Sequence, residues 1–385
     1  MKVTAVLKKY TMTLALVVVF IFFTFLTGRR LILAQNISNL LLQNSYVLVM
    51  ACGMLLCILT GGNVDLSVGS TVCLSGAVAA QLMAGGRPAI LAIGAALLIG
   101  AVIGCWQGYL VGYVHIPPFI CTLAGMFLWR GLGRVVLDSK TVSIQNNTFL
   151  NLFTSYIQIP GVDANKHCVS ALVIGVAVAV VIAFLMITSR ARKVKRGYDV
   201  EAFPAMLAKL ILIDALIIWY SSKLMGYKGV PVMLLWILVV VLVIAFVTSS
   251  TVVGRYFYAV GGNEKATKLS GIDPRKVYFR AYFIMSFLAG FSGLLMAARI
   301  GSVDGAMGQS YEMDAIASCF IGGASAYGGS GTVPGVMIGA ILLGVINQGM
   351  SIYGLPDQWQ YVVKGAVLLA AVIFDVVSNH KTGKS

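Results

Sequence analysis

The chain has 385 residues, of which 59% are hydrophobic and only 11% are charged. Soluble domains carry about 25% charged residues, and no single soluble core buries this much apolar surface. The composition therefore excludes an ordinary soluble enzyme, a disordered chain and a disulfide-rich secreted domain. We attribute the net charge of +15 to the positive-inside rule of membrane proteins rather than to nucleic-acid binding.

Twelve apolar segments are predicted membrane-spanning helices, because a span needs roughly 20 apolar residues. Two of them, 67–84 and 313–326, are short and broken by glycine, so we expect broken or re-entrant helices there. The pattern predicts an all-α polytopic integral membrane protein with about ten core transmembrane helices. A helical hairpin is inserted at approximately 193–253. In chain order the segments are 11–27, 45–60, 67–84, 89–113, 118–137, 168–188, 206–225, 230–248, 277–298, 313–326, 331–353 and 358–378.

The distribution of Lys and Arg predicts the orientation of the chain. If the N-terminus is cytoplasmic, the basic run at 190–196, the segment 254–280 and the C-terminal tail are also cytoplasmic. The opposite orientation places both basic clusters outside, against the positive-inside rule. We therefore expect both termini in the cytoplasm. The polar stretch 138–167 then lies outside, as a lid or a docking surface.

A short, isolated helix is predicted within the polar segment 254–276. A helix of barely two turns is unstable alone, so it must pack on another surface. Spacing alone leaves two interpretations open, a polar connector or a docking helix for a cytoplasmic partner. The signals are Asn263 as N-cap, a Glu264–Lys268 pair at i,i+4, a stop at Ser270-Gly271, and Asp273-Pro274 opening the next helix.

Two glycine-broken membrane segments, 60–78 and 321–342, lie in the two halves of the chain. Paired interrupted segments of this kind indicate a translocation site. Asp65 lies inside the first break, and an ionisable group at membrane depth is a functional candidate. The alternative is that Asp65 caps the helix that begins near Ser67.

Amide side chains beside aromatic residues would suit a sugar, and they extend this predicted path. The residues assigned to the path are Asp65, Ser67, Gln107, Asn347 and Gln348. Glycines also repeat every four residues, a pattern that lets helix backbones approach closely. We expect these repeats to serve internal packing or a subunit interface. They are Gly104, Gly108 and Gly112, and Gly335 with Gly339.

The catalytic motifs sought are missing from the sequence. There is no phosphate-binding P-loop, because the terminal Gly383-Lys384-Ser385 lacks the upstream glycine and a following helix. Paired carboxylates, a Ser/His/Asp arrangement and metal-ligand spacing are also absent from the sequence. We therefore expect no enzymatic activity, no metal ion and no cofactor in this chain, so another subunit must supply the energy for transport.

Five stretches carry a specific family resemblance, and together they cover both halves of the chain. The chain resembles the permease subunits of bacterial ABC importers for monosaccharides, in the ribose, galactoside and xylose branch. About sixty residues, 193–253, separate two stretches that nearly adjoin in such permeases, and they add two apolar runs. This enlarged form is most similar to the permease of multiple-monosaccharide importers. The matching stretches are NISNLLLQNS, GGNVDLSVGS, GRYFYAVGGNEKATKLSGI, YEMDAIASCFIGGASAYGGSGTVPGVMIGAILLGVINQGM and VVKGAVLLAAVIFDV.

The resemblance implies that residues 1–385 form one transmembrane permease domain of an ATP-driven sugar importer. It implies a bacterial inner-membrane location, cytoplasmic ATP-binding subunits, an external sugar-binding protein and a second permease copy in a homodimer. An ion-coupled secondary transporter with inverted repeats is the alternative, and would use Asp65, Asp214 or Lys364 as its ion site. The docking residues implied for the ATPase are Gly261, Gly262, Asn263, Glu264, Ala266, Leu269, Ser270, Gly271 and Ile272.

Overall fold

The computed structural model describes residues 3–159, 163, 168–198, 200 and 202–380. These residues are almost wholly helical, and the predicted fold class is confirmed. The helices are α1 (Val3–Leu26), α2 (Ala34–Gln43), α3 (Ser45–Leu59), α4 (Val68–Ala84), α5 (Ala89–Gly112), α6 (Pro118–Val136), α7 (Asn147–Thr154), α8 (Val169–Lys195), α9 (Phe203–Met225), α10 (Val232–Ser250), α11 (Val252–Gly262), α12 (Glu264–Leu269), α13 (Pro274–Ile300), α14 (Tyr311–Ile321), α15 (Val333–Tyr353) and α16 (Asp357–His380).

Within the described residues, eight helical stretches are long and apolar enough to cross a membrane. Several boundaries differ from prediction, and two of these differences lie next to the glycine-broken segments. The segment expected to begin at 45 is preceded by α2, so that a single stretch runs from Ala34 to Leu59. The late segment expected at 313–326 ends earlier, at Ile321, because Gly322 and Gly323 terminate α14. With 11 residues, α14 spans about 16 Å of a hydrocarbon core of about 30 Å.

Helix α3 is the centre of the bundle. Every one of its 15 residues is buried, and it packs against α10, α13, α14 and α15. A helix that is hydrophobic on all sides is expected in such a position. Its last residue, Leu59, therefore holds the first glycine-broken segment, 60–67, in a fixed place against the rest of the protein.

The glycine repeats serve internal packing. On α5, a Cβ at Gly104 would lie 2.8 Å from the Phe283 backbone, and one at Gly108 would lie 2.8 Å from the Phe279 carbonyl oxygen. Helix α5 thus packs backbone to backbone on α13. On α15, Gly335 and Gly339 face the backbone of α14 in the same way. The expectation of close helix packing is confirmed within this chain.

Two small antiparallel ladders organise the connections between helices, and one of them includes the residues that follow α13. Strand β1 (Val142–Ser143) pairs with β4 (Ser302–Val303), and β2 (Tyr156–Ile157) pairs with β3 (Val230–Pro231). They tie the polar stretch 138–167 to the bundle. Residues 160–162 and 164–167 of that stretch lie outside the described residues.

The residues of the predicted insertion, 193–253, contain α9 and α10, and α9 pairs with α8, the helix that precedes the insertion. A Cβ at Gly175 on α8 would overlap the Ser221 side chain on α9, so the two helices are in close contact. Helix α9 also packs on α2. Most of the large side chains of both helices face outward, which is typical of a peripheral pair of membrane helices.

Candidate functional site

The predicted docking helix is α12, and its caps form as the sequence indicates. The side-chain oxygen of Asn263 accepts a hydrogen bond of 2.9 Å from the Ala266 amide. Ser270 ends the helix, and Gly271 follows with φ = 84°, a left-handed conformation that favours glycine. Asp273 then caps α13 by accepting from the Arg275 amide at 3.1 Å.

Electrostatics at this cap favour the ionised carboxylate. The Arg275 guanidinium donates to Asp273 at 3.1 Å, and this hydrogen bond holds the pKa of the Asp273 carboxyl below its ordinary value. A negative charge at the first turn of α13 also matches the helix dipole. The boundary between α12 and the long span is therefore fixed by charge as well as by backbone geometry.

One face of α12 is anchored and the other is free. Thr267 is buried, and its hydroxyl donates to the Ala259 carbonyl at 2.8 Å. Glu264 accepts a 2.9 Å hydrogen bond from the Tyr278 hydroxyl. Within the described chain no ion pair joins Glu264 to Lys268, so the predicted i,i+4 pair is replaced by a tertiary contact. Leu269, in contrast, is 89% exposed.

Three Gly-Gly pairs, 61–62, 261–262 and 328–329, lie close together beside α12. Five of these residues form what we call the glycine junction: Gly61, Gly62, Gly261, Gly328 and Gly329. A Cβ at Gly261 would overlap the Leu59 carbonyl oxygen, and the Gly329 amide donates to that same oxygen at 3.0 Å. The junction joins the end of α11 to both glycine-broken segments.

The two glycine-broken segments also contact each other directly in the glycine junction. A Cβ at Gly62 would overlap the Ala326 carbonyl oxygen, and one at Gly328 would lie 2.5 Å from the Gly61 Cα. Gly62, Gly328 and Gly329 have φ of 75°, 88° and 68°. Glycine is needed here both for this conformation and for the close approach.

The late glycine-broken segment has one further link to the predicted docking segment. The Tyr258 hydroxyl on α11 donates to the Gly331 carbonyl at 2.9 Å. Tyr258 was not among the predicted site residues. Its position within the stretch that precedes Gly261 was the available signal, but nothing in the sequence indicates its partner 73 residues away.

Three of the predicted path residues form one buried network. Asp65 accepts from the Ser67 amide at 2.8 Å and from its hydroxyl at 2.7 Å. Gln107 donates to the Ser67 hydroxyl oxygen at 2.6 Å and accepts from Ser286 at 3.1 Å. Asp65, Ser67 and Gln107 have no exposed surface. The network joins the start of α4 to α5 and α13. The N-cap of α4 is Ser67, and Asp65 binds the amide and hydroxyl of that residue just before the helix begins.

The other two predicted path residues lie elsewhere, on α15. Gln348 donates to the Asn36 carbonyl at 2.6 Å and so links α15 to α2. Asn347 is partly buried. Neither residue joins the Asp65 network among the described hydrogen bonds, so the structure does not bring all five predicted path residues together.

The intramembrane lysine that the ion-coupled alternative requires has a carboxylate partner. The Lys364 amine on α16 lies 3.1 Å from the Asp314 carboxylate on α14. The Tyr46 hydroxyl donates to the same carboxylate at 2.7 Å. Ionisable side chains within membrane spans usually face the bundle interior and pair with one another, as these two do. It links α14 to α3 and α16.

Comparisons with known proteins place this architecture in a family. Residues 36–372 match the family described as the branched-chain amino acid transport system permease component. The xylose transport system permease protein XylH of Haemophilus influenzae is 35% identical, over 97% of this chain and 98% of its own. XylH of Escherichia coli K12 is 33% identical, over 98% and 93%. The ribose import permease RbsC of the same strain is 33% identical, over 89% and 85%.

No solved structure matches the chain. The relatives are transport permeases rather than enzymes, and in such systems ATP hydrolysis belongs to a separate ATPase subunit. The helices described above agree with a multi-pass membrane protein. The chain therefore belongs to this family of permease components of membrane transport systems.

Proposed function

We propose that the chain is the transmembrane permease of an ATP-driven monosaccharide importer in the bacterial inner membrane. The observation that carries the proposal is the match to xylose permeases over nearly the full length of both chains. The ribose permeases, matched over 89% of this chain, support the same substrate class. Both relatives are named for a five-carbon sugar, so a pentose is the first substrate to test.

The cytoplasmic ATPase binds on the segment from Gly261 to Ile272. One face of α12 is held against the bundle by the hydrogen bonds of Thr267 and Glu264. Its free face presents Leu269, Ala266 and Ser270 to solvent. A large apolar side chain with 89% exposure on a capped helix is a suitable anchor for a pocket in a partner.

The glycine junction transmits a rigid-body movement of α12 to the membrane segments of the chain. Closure of two ATPase subunits on ATP would displace α12 and the adjoining end of α11. Backbone-to-backbone contacts leave no flexible side chain between α11, Leu59 and Gly329 to absorb the movement. The late broken segment therefore shifts with α11 against the early one, which its own hydrogen bonds hold in place. Two packings with different affinity for the partners give the required switch.

The cytoplasmic position of the docking segment also determines where the second permease copy and the sugar-binding protein bind. Residues 1–385 act as one permease domain with cytoplasmic termini, and a second copy completes the translocation path as a homodimer. A sugar-binding protein docks on the outer surface, where the ladders β1–β4 and β2–β3 gather the connecting segments. The positive-inside rule supports this direction, since the docking segment and the run 190–196 are both basic.

Energy coupling is the test of this function. Cells that express the chain with its ATPase and binding protein should accumulate labelled xylose or ribose. Depletion of ATP should abolish uptake, whereas an uncoupler that leaves the ATP level intact should not. Uptake that survives ATP depletion and stops with the uncoupler would contradict the proposal in favour of an ion-coupled carrier.

A further inference from the structure

A basic pocket of about 720 Å³ opens at the end of α8. A second cavity of about 370 Å³ shares Lys193 with it and reaches α9. Beside that cavity the Arg190 guanidinium lies over the Phe203 ring, 5.6 Å from its centre, and so holds the two helices together. Helix α8 packs on α9, and α9 packs on α2, so both cavities lie at the periphery of the bundle. The lining of the larger pocket includes Leu185, Thr188, Arg192, Lys193, Arg196 and Tyr198.

 

Three basic side chains on one wall of this pocket have no partner in the described part of the chain. Arg192 and Arg196 lie one turn apart on one face of α8, and Lys193 lies beside them. All three are exposed, and no ion pair or side-chain hydrogen bond within the described residues engages them. From 190 to 201 the sequence holds five basic and two acidic residues, so positive charge is in excess here.

Helix α8 is longer than the hydrocarbon core of the membrane is thick. Its 27 residues extend over about 40 Å at a rise of about 1.5 Å per residue, and the core measures about 30 Å. Counted from Val169, where the helix begins, the core ends near Thr188. Arg192 and Arg196 then lie about 5–10 Å further along the helix axis. This is the depth at which the phosphate groups of the lipids lie.

The pocket joins this positive charge to an apolar surface. Val181, Phe184 and Leu185 are exposed on α8, on the membrane side of the basic residues. The exposed Tyr198 ring lies at the rim of the pocket, and tyrosine is common where membrane meets water.

Two general rules account for basic residues at this end of α8. The positive-inside rule places Lys and Arg in cytoplasmic segments, and cations near the end of a helix complement its dipole. Neither rule calls for a cavity that has unpaired basic side chains on one wall and opens onto an exposed apolar face. A ligand that fits both parts has an anionic head and a hydrocarbon tail.

We propose that the pocket at the end of α8 binds an anionic phospholipid. Arg192 and Arg196 donate to the phosphate oxygens, since guanidinium groups match phosphate geometry, and Lys193 adds a point charge. The acyl chains lie along the exposed apolar face that includes Leu185. Basic pockets between membrane helices are typical sites for anionic headgroups on the cytoplasmic side. The inference depends on the membrane location of the chain and not on the transported sugar.

Binding of defined lipids to the purified full-length chain in detergent tests the pocket. Native mass spectrometry should show phosphatidylglycerol bound in preference to phosphatidylcholine. The triple variant Arg192→Gln, Lys193→Gln and Arg196→Gln should weaken phosphatidylglycerol binding at least tenfold, because three favourable charge interactions are lost. Inorganic phosphate should not displace the lipid, whose chains contribute to its binding. Displacement by phosphate alone would show a site for a free anion and would overturn the proposal.

The matched control removes three exposed arginines away from the pocket, Arg29→Gln, Arg30→Gln and Arg87→Gln. It lowers the net charge of the chain by the same amount and should bind phosphatidylglycerol like the wild type. Equal weakening in the two triple variants would show that binding follows net charge alone. That result, or equal binding of the two lipids by the wild type, would overturn the pocket and leave the proposed sugar transport standing.

Fluorescence quenching in a bilayer gives a second test that leaves the basic residues in place. In a background with Cys105→Ser and Cys168→Ser, the remaining cysteines are buried. A fluorophore on Leu185→Cys should be quenched more by brominated phosphatidylglycerol than by brominated phosphatidylcholine at the same mole fraction. A fluorophore on Val180→Cys, exposed on another face of α8, should be quenched equally by both lipids. A Leu185→Cys probe that shows no lipid preference would contradict the proposal.

Discussion

The two glycine-broken segments are built differently. The early break, 60–67, is fixed by side chains, because Asp65, Ser67 and Gln107 form a buried hydrogen-bonded network. The late break, 322–332, is held largely by backbone contacts and by the Tyr258 hydroxyl from α11. The difference favours a mechanism in which the early break stays fixed and the late break follows the proposed docking segment.

The largest expected effect is at the glycine junction, where both breaks meet α11. Gly261→Ala places a Cβ against the Leu59 carbonyl oxygen and the Gly329 amide nitrogen. We expect a loss of about 3 kcal/mol in the free energy of unfolding and loss of uptake. Thermal unfolding in detergent and uptake in cells are the measurements.

The neighbouring glycine is the matched control for that substitution. A Cβ at Gly262 meets no atom within 4 Å, so Gly262→Ala should change stability by less than about 0.5 kcal/mol. If the two variants behave alike, the close contact at Gly261 does not matter and the junction does not transmit movement.

An intermediate effect is expected in the early break. Asp65→Ala leaves the Ser67 amide and hydroxyl without their acceptor and should cost about 1–3 kcal/mol of stability. Asp65→Asn keeps an acceptor oxygen and should cost less, with transport following the same order. Equal loss of transport in both variants would favour a role for the charge instead.

The smallest effect is expected in the late break. Tyr258→Phe removes one hydrogen bond to Gly331 and should cost about 1 kcal/mol. Hydrogen exchange should speed up at amides in 325–331 and stay unchanged in 61–67. Tyr256→Phe on the same helix is the control, and faster exchange in both breaks would contradict their separate attachment.

Local features of the site were predictable from sequence, and its long-range contacts were not. The Asn263 and Asp273 caps depend on residues two or three positions away, so the spacing predicts them. The glycine junction joins Leu59, Gly261 and Gly329, which are far apart in sequence and share no periodic pattern. A single sequence contains no signal for such an encounter.

The polar residues of the site were predictable by type, but their long-range partners were not. Asp65, Ser67 and Gln107 were each singled out by residue type, but the hydrogen bond between residues 67 and 107 depends on how α4 and α5 pack. Glu264 was assigned a partner on its own helix because i,i+4 spacing is local. The structure gives it Tyr278 instead, because α12 lies against the first turns of α13.

Recovery of the ATPase with the purified permease tests the docking helix most directly. Leu269→Asp should lower the amount of ATPase that co-purifies at least tenfold, because burial of a leucine contributes about 1.5–3 kcal/mol and about 1.4 kcal/mol is a factor of ten. Tyr198→Asp, at a side chain that is 62% exposed near the end of α8, should leave recovery unchanged. Equal recovery with the wild-type, Leu269→Asp and Tyr198→Asp chains would contradict docking on α12.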